Sequence, residues 1–429
     1  MTQAQSTSKF DGVICFGGED WWYHNRAHYD LQMMRELSYR LPVLYVNSIG
    51  MRVPTVREGG MFFKRVQRKL KSFSRGLVRV REGLSVQSPI VVPGRRGMKL
   101  SGWLLPRQVS HAARKLGMRN PLIWVACPSG IQAALQMNRA GIIYQRTDRF
   151  ECYEGVDHDL IRSFDQTLKR EADLVLYCSR HLFDAESPAG HSSAFIDHGV
   201  DFDYFVRAGD HPGARGAAAP QLVRDSLEGV DGPRVGFVGD VDSAVFDADL
   251  LLETAALLPD VQFVLVGGCT LPKGWTAHAP NVHLTGRVPY KDVAATMASM
   301  DVLMMPWHRS KWIEACNPIK LKEYLATGRP IVSSDFAELR HYEGLLQVAN
   351  EPASFAEAIR SAIEAPDLAV LAKGRERIAG ATWTSRADSV LAELECRAGL
   401  TAVGAQEPTA SVSTRPSRRT LRRRSSTPA

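Results

Sequence analysis

The chain has 429 residues, 45% hydrophobic and 23% charged, an ordinary globular composition that is long enough for two domains with separate cores. No apolar run approaches the roughly 18 residues of a membrane span, and Met1–Phe10 carries no apolar signal core, so a cytoplasmic protein is expected. The net charge of +7 lies mostly in the tail. Residues 401–429 hold Arg415, Arg418, Arg419, Arg422, Arg423 and Arg424 against Glu407, which leaves only +2 for residues 1–400.

That tail is rich in Ser, Thr, Pro and Arg and poor in large apolar residues, so it is expected to be disordered, as is the start, 1–10. The seven cysteines are odd in number and never spaced Cys-x-x-Cys. Free thiols, most of them buried, are expected rather than disulfides or a zinc site.

In chain order, the apolar run Gly12–Phe16 ends in Gly17-Gly18, a helical pattern covers His24–Arg40, and a second apolar run covers Pro42–Asn47. Strand, glycine turn, helix, strand predicts a βαβ unit and a parallel sheet. Strands are predicted at Pro89–Pro93, Leu122–Ala126, Gly141–Tyr144, Leu174–Cys178 and Ser193–Ile196, and helices at Lys99–Leu116 and Asp159–Glu171. Residues 206–233 shift to Gly, Ala and Pro and are expected to be a linker holding at most a short helix.

The pattern then restarts. Arg234–Val238 ends at Gly239, Asp247–Leu258 has helical periodicity, and Gln262–Gly267 again ends in glycine. Further strands are predicted at Val282–Thr285, Val302–Met305 and Pro330–Ser333, with helices at Tyr290–Met300 and Ile319–Thr327. Two open parallel sheets place a ligand at the carboxyl ends of their strands.

The segment Asn317–Pro330 carries the chemistry. Pro318 suits a first helical turn, Asn317 suits the N-cap, and Gly328 followed by Pro330 suits the stop. A helix N-terminus offers free N–H groups and partial positive charge to a phosphate. Lys320 adds a full charge there, against the helix dipole. Glu323 lies one turn on, on the same side, where a carboxylate can accept two hydroxyl hydrogen bonds, as from a ribose diol. A plain Lys–Glu pair on a solvated helix face satisfies the same spacing.

The pattern Asn-Pro-x-Lys-x-x-Glu-Tyr-Leu-Ala-x-Gly-x-Pro resembles that of family 4 GT-B glycosyltransferases, in the branch that includes teichuronic-acid-type polysaccharide transferases. Trp21 with Arg26, Tyr144–Phe150, His198–Phe205, Arg234–Gly239, Asn281–Tyr290 and Trp383–Arg386 fit that branch in order along the chain.

The resemblance implies two Rossmann-like domains facing each other across a cleft. They are an acceptor domain at 11–205 and a nucleotide-sugar domain at 234–382, with a helix at 383–400 crossing back to the first. It implies that Glu323 holds the ribose and that Lys320, Asn317 and the helix N-terminus meet the diphosphate. Gly286, Arg287 and Val288 would contact the base through backbone groups, and Gly17, Gly18 and Gly239 would let backbone approach the donor. It further implies retention of anomeric configuration, a nucleoside diphosphate sugar as donor, and a glycan or lipid-linked hydroxyl as acceptor in surface polysaccharide synthesis. No cofactor is needed.

Two departures stand out. Many relatives carry a second glutamate eight residues before the ribose-binding one; here that position is Ala315, with Glu314 one place out of register. A basic pair after the second domain's first strand is replaced by Asp240-Val241-Asp242, so Lys320, Arg309 or Arg146 must neutralise phosphate. Asp240-Val241-Asp242 imitates a metal-binding motif of another fold, but no ligand cluster accompanies it and no metal is expected.

Asp148, Arg146 and His24 are the candidate catalytic or acceptor-positioning residues, and Trp21, Trp22 and Tyr23 can stack on a sugar or simply pack. Residues 57–81 hold nine Lys or Arg against Glu58, with apolar residues at helical spacing. A basic amphipathic helix there would dock on an anionic membrane and place the protein on the membrane's inner face. No nucleic-acid module is present. An epimerase of the same fold and a catalytically silent membrane-bound scaffold remain compatible with the sequence.

Overall fold

A computed structural model describes residues 8–23, 28–50, 67, 71–91, 95–153, 155–187, 192–211 and 219–403. The first sheet has eight strands in the order β4-β5-β3-β2-β6-β7-β8-β9. These are β2 (Val13–Phe16), β3 (Val43–Val46), β4 (Leu77–Arg81), β5 (Leu84–Gln87), β6 (Leu122–Val125), β7 (Gly141–Arg146), β8 (Leu174–Tyr177) and β9 (Ser193–Phe195). All neighbours are parallel except β4, which returns antiparallel on β5. Every residue of β2, β3, β6 and β8 is buried, which is why these strands read as continuous apolar runs rather than alternating ones: helices cover both faces.

The second sheet is wholly parallel, in the order β12-β11-β10-β13-β14-β15. It comprises β10 (Arg234–Val238), β11 (Gln262–Val266), β12 (Val282–Gly286), β13 (Val302–Met305), β14 (Ile331–Ser333) and β15 (Gln347–Val348). Strand order reverses at β2 in one sheet and at β10 in the other. The loops that leave these strands, at Gly17 and Gly239, therefore open at the switch points where an α/β sheet leaves a crevice.

The helices of the first domain are α1 (Tyr29–Leu37), α2 (Arg95–Lys115), α3 (Ile131–Ala134), α4 (His158–Glu171) and α5 (Arg180–Glu186). Those that follow are α6 (Phe202–Gly209), α7 (Gln221–Ser226), α8 (Ala248–Leu257), α9 (Tyr290–Ala298), α10 (Lys311–Glu314), α11 (Ile319–Thr327), α12 (Pro352–Glu364), α13 (Leu368–Ile378) and α14 (Trp383–Ala398). Trp383, Ala387, Val390 and Leu394 of α14 pack into the first domain's core. Beyond α14, β16 (Leu400–Ala402) pairs in parallel with β1 (Ser8–Phe10), so residues 8–10 and 401–402, expected to be disordered, are ordered by pairing with each other.

The structure differs from the sequence expectations in several places. Val200, Phe205, Val223 and Leu227 pack into the second core, so α6 and α7, expected at the end of the first domain and in the linker, dress the second. Pro89–Pro93 forms no strand over its described residues; the strand work there is done by the β4–β5 hairpin. Its turn at Gly83 has φ 74°, and a Cβ there would lie 2.1 Å from the Ser38 carbonyl oxygen, so both space and conformation demand glycine. The basic helix expected over 57–81 ends before β4, and most of 57–70 lies outside the described residues. The helix expected from His24 begins at Tyr29. Three of the cysteines, Cys152, Cys269 and Cys396, are exposed rather than buried.

Helix α2 contains Pro106, which removes one backbone donor and frees the carbonyl of Gly102. Gln136 repairs the loss: its Nε2 donates to that carbonyl at 3.1 Å.

Candidate active site

Helix α11 sits at the centre of the seam between the sheets. Its N-cap is Pro318, not Asn317, because the proline takes an extended backbone and Ile319 becomes the first helical residue. Asn317 is used differently. Its Nδ2 donates to the Cys178 carbonyl at 2.7 Å and to Asp197 Oδ1 at 2.7 Å, tying the second domain to the ends of β8 and β9. The stop follows expectation: Gly328 is left-handed at φ 69°, and its N–H reaches the carbonyls of Tyr324 and Leu325. Below the helix, the Tyr324 hydroxyl accepts from Val238 N at 3.0 Å, fixing α11 to the end of β10.

Lys320 and Glu323 do not pair. Among the described residues neither makes a side-chain hydrogen bond or ion pair. The Lys320 ammonium lies 4.2 Å from the Phe237 ring centre and 5.3 Å from that of Trp307, a cation–π cradle. Burial pushes its pKa down to about 8. Glu323 is 5% exposed, and burial pushes its carboxyl up to about 7, against a smaller opposing effect of Lys320. A buried carboxylate without donors and an ammonium without acceptors each carry an uncompensated desolvation cost. A ligand that brings hydroxyl donors to one and an anion to the other removes it.

The loops after β10, β11 and β12 surround this pair. Gly239 makes room for Lys320: a Cβ at that position would stand 2.3 Å from the ammonium nitrogen. Asp240 accepts from Gly268 N at 2.9 Å and from Arg287 at 2.7 Å, and Asp242 accepts from Ala244 N and Val245 N. The Asp-Val-Asp carboxylates are therefore spent on loop structure. Gly286 is exposed at φ 81°, whereas Val288 is buried in the second core and can offer only backbone. Arg309 is exposed and, among the described residues, reaches only Asp335, at 3.4 Å, so its charge remains available at the rim.

Gly239→Ala tests the cradle. Its φ is 159°, which L side chains rarely adopt, and the methyl would lie 2.3 Å from the Lys320 ammonium and 3.2 Å from the Phe237 ring, so a lowered urea midpoint is expected, together with roughly tenfold or weaker nucleoside diphosphate affinity by calorimetry, the worth of a charge-assisted hydrogen bond. Unchanged affinity would remove Lys320 from the site.

The first domain contributes less than the sequence suggested. Arg146 is fully buried and bound by Glu151, Glu186 and, at 3.4 Å, Asp165. Its charge is consumed inside the domain, which corrects its expected role at phosphate. Gly17 is required by packing, since a Cβ would fall 2.1 Å from the Tyr45 hydroxyl, and Gly18 N donates to Asp30 at 2.8 Å.

Asp148 does reach the seam. Trp312 Nε1 donates to it at 3.3 Å, and burial raises its pKa against hydrogen bonds from Tyr153 and Trp312. His24 lies outside the described residues. Glu314 is exposed on α10, while Ala315 is fully buried in the first domain's core. Where the resemblance led one to expect a second glutamate, the structure has an apolar contact between the domains.

The ion pair at the seam has no signature in the sequence. Lys322, 1% exposed, meets Asp197 Oδ1 at 2.7 Å. Nothing within the motif sets it apart from Lys320; Asp197, just after β9, and the Tyr342 ring, 5.6 Å away, meet it only in the fold. Also missed was a cavity of about 940 Å³ that Trp21, Trp22, Arg35, Asp201, Tyr204 and Tyr290 line. Tyr290 donates to Asp201 at 2.9 Å, and both stand close enough to Glu323 to feel its charge.

Residues 232–365 match the family model described as glycosyl transferases group 1. The second domain thus resembles a group 1 glycosyl transferase domain, in a chain of GT-B architecture. The Bacillus subtilis protein TuaH, whose own assignment as a teichuronic acid biosynthesis glycosyltransferase is provisional, is 28% identical over 184 residues. The match covers 41% of this chain and 44% of that protein, so the chain spans less than half the length of this curated relative. Sucrose-phosphate synthase from Thermosynechococcus elongatus superposes with a TM-score of 0.65 at 15% identity, covering 89% of this chain and 97% of its own. Anabaena HepE in complex with UDP-glucose gives 0.64 at 16%, covering 90% and 100%. These likenesses establish the shared fold.

Proposed function

We propose that the protein is a retaining, metal-independent glycosyltransferase. It would move a sugar from a nucleoside diphosphate sugar to a hydroxyl of a glycan or lipid-linked acceptor in surface polysaccharide synthesis. The observation that carries this reading is the unpaired Lys320 and Glu323 on the first turns of α11, at the switch-point end of β10. Glu323 accepts the ribose diol. Lys320 and the free N–H groups of α11 hold the diphosphate and stabilise the charge that grows on it as the glycosidic bond breaks.

Gly286 and Val288 present backbone to the base, and Arg287, held by Asp240, flanks it. The acceptor's proton passes to the departing phosphate oxygen, so no protein base is required; Asp148 helps place the acceptor. The aromatic and charged lining of the cavity beside Tyr290 suits a sugar acceptor, and UDP-glucose bound to HepE supports a nucleotide sugar as donor. No helix among the described residues is long and apolar enough to cross a membrane, so a lipid-linked acceptor would be met at the surface, where the basic stretch 57–81 assists.

Mass spectrometry of products from a panel of nucleotide sugars, with lipid-linked and free glycan acceptors, tests this. Transfer that persists in a chelator is expected. Conversion of the donor without acceptor would indicate an epimerase. Absence of both nucleotide binding and product would favour a silent scaffold, a reading to which the apolar contact at Ala315 lends some weight.

A further inference from the structure

Helix α2 has an outer face unlike the rest of the surface. Its sequence holds six Lys or Arg (Arg95, Arg96, Lys99, Arg107, Arg114, Lys115) and no Asp or Glu. Leu105, Val109, Ala112 and Ala113 turn inward. On the opposite side Leu100 is 49% exposed and Trp103 53%. Arg107 lies one turn on, its guanidinium 4.1 Å from the Trp103 ring centre and donating to the Trp103 carbonyl at 2.8 Å. Gln108 binds both backbone groups of Ile90 at 3.0 Å, holding that residue, 56% exposed, beside the helix.

Three large apolar side chains thus stand about half exposed along one edge of a helix whose charged residues are all cations. The basic stretch of the sequence arrives at the same edge: Ser72 is buried against Ser88, Oγ to Oγ 3.2 Å, two residues before Ile90, and Lys71 is exposed.

We propose that Ile90, Leu100 and Trp103, flanked by Arg107, form a docking face for an anionic lipid bilayer. An indole and two aliphatic side chains can enter the headgroup boundary while the cations meet lipid phosphates. One sign of charge along the helix selects an anionic surface over a neutral one. The face lies on the first domain, on α2, and includes none of the donor residues, so docking is expected to leave the nucleotide site free. This deepens the lipid-linked acceptor reading, but the two can fail separately.

The test is flotation of the full chain with phosphatidylcholine vesicles, with and without phosphatidylglycerol. The wild type is expected to float with the anionic vesicles and not with the neutral ones. Leu100→Ser/Trp103→Ser should lower partitioning roughly tenfold or more. Arg107→Glu should lower it by about fivefold per unit of charge changed. Nucleoside diphosphate affinity in solution should stay constant throughout. A wild type that does not float, or a double variant that floats as well as wild type, overturns the proposal; in the second case the basic stretch or the tail supplies the adhesion. Vesicle binding by this face without sugar transfer would leave the docking intact and sink the transferase reading instead.

Discussion

Lys320→Met should lower kcat/KM for the donor by roughly 10²–10³, the usual cost of removing one group that stabilises charge on a leaving oxygen. Glu323→Gln should act mainly through donor KM, because the ribose contact is made in ground and transition states alike. Neither change should destabilise the free protein. Each removes a half-buried or buried charge that has no partner among the described residues, so unfolding midpoints should hold or rise, as when an active site is strained for function.

The pH dependence follows from the same burial. Glu323 is raised from 4.5 to about 7, so between those values the folded protein holds a proton that the unfolded chain has lost, and stability falls as pH rises through that window. Lys320 is lowered from 10.5 to about 8; there the folded protein holds the fewer protons, and stability rises with pH. Donor binding uses the two charged forms. The pH profile of kcat/KM should therefore be bell-shaped, with limbs near 7 and 8. Lys320→Met should abolish the alkaline limb and Glu323→Gln the acidic one. Wild-type turnover in both variants would refute the assignment.

Lys322→Met is expected to cost about 1–3 kcal/mol of stability, measured by urea unfolding, because it removes the nearest cation from a largely buried carboxylate that keeps Asn317 and a more distant Arg386. Burial alone pushes the pKa of Asp197 up, but Lys322, with help from Arg386, holds it below 3.8. The pair's contribution is therefore present above that value and lost as pH falls through the folded one. His198, beside it, is kept neutral, its pKa pushed down to about 3 mainly by burial. Lys322→Met/Asp197→Leu should recover most of the loss, since an apolar pair of similar volume replaces a charged one.

Lys322 and Lys320 stand on one helix, so the seam and the donor site share a rigid body. The single variant should also lower kcat/KM for the donor by loosening α11 against the first domain. Donor kinetics unchanged in a variant that unfolds readily would confine Lys322 to a purely structural role.

The sequence by itself determined the main parallel strands of both sheets, because they are short apolar runs and β2, β10, β11 and β12 end at a glycine, and it determined the helix that carries Lys320 and Glu323, because proline, periodicity and glycine bound it within nine residues. These are local signals, legible wherever backbone geometry and burial are set by near neighbours. Tertiary structure decided which charges are free. Arg146 and Lys322 look no different in sequence from Lys320, yet three carboxylates from elsewhere in the first domain surround Arg146, and the end of β9 neutralises Lys322. Lys320 faces two aromatic rings and no acid within pairing distance. Asn317 moved from a helix cap to a tie between domains for the same reason. An ion pair across more than a hundred residues leaves no periodic trace, and whether a buried charge is spent or available depends on what the fold brings against it.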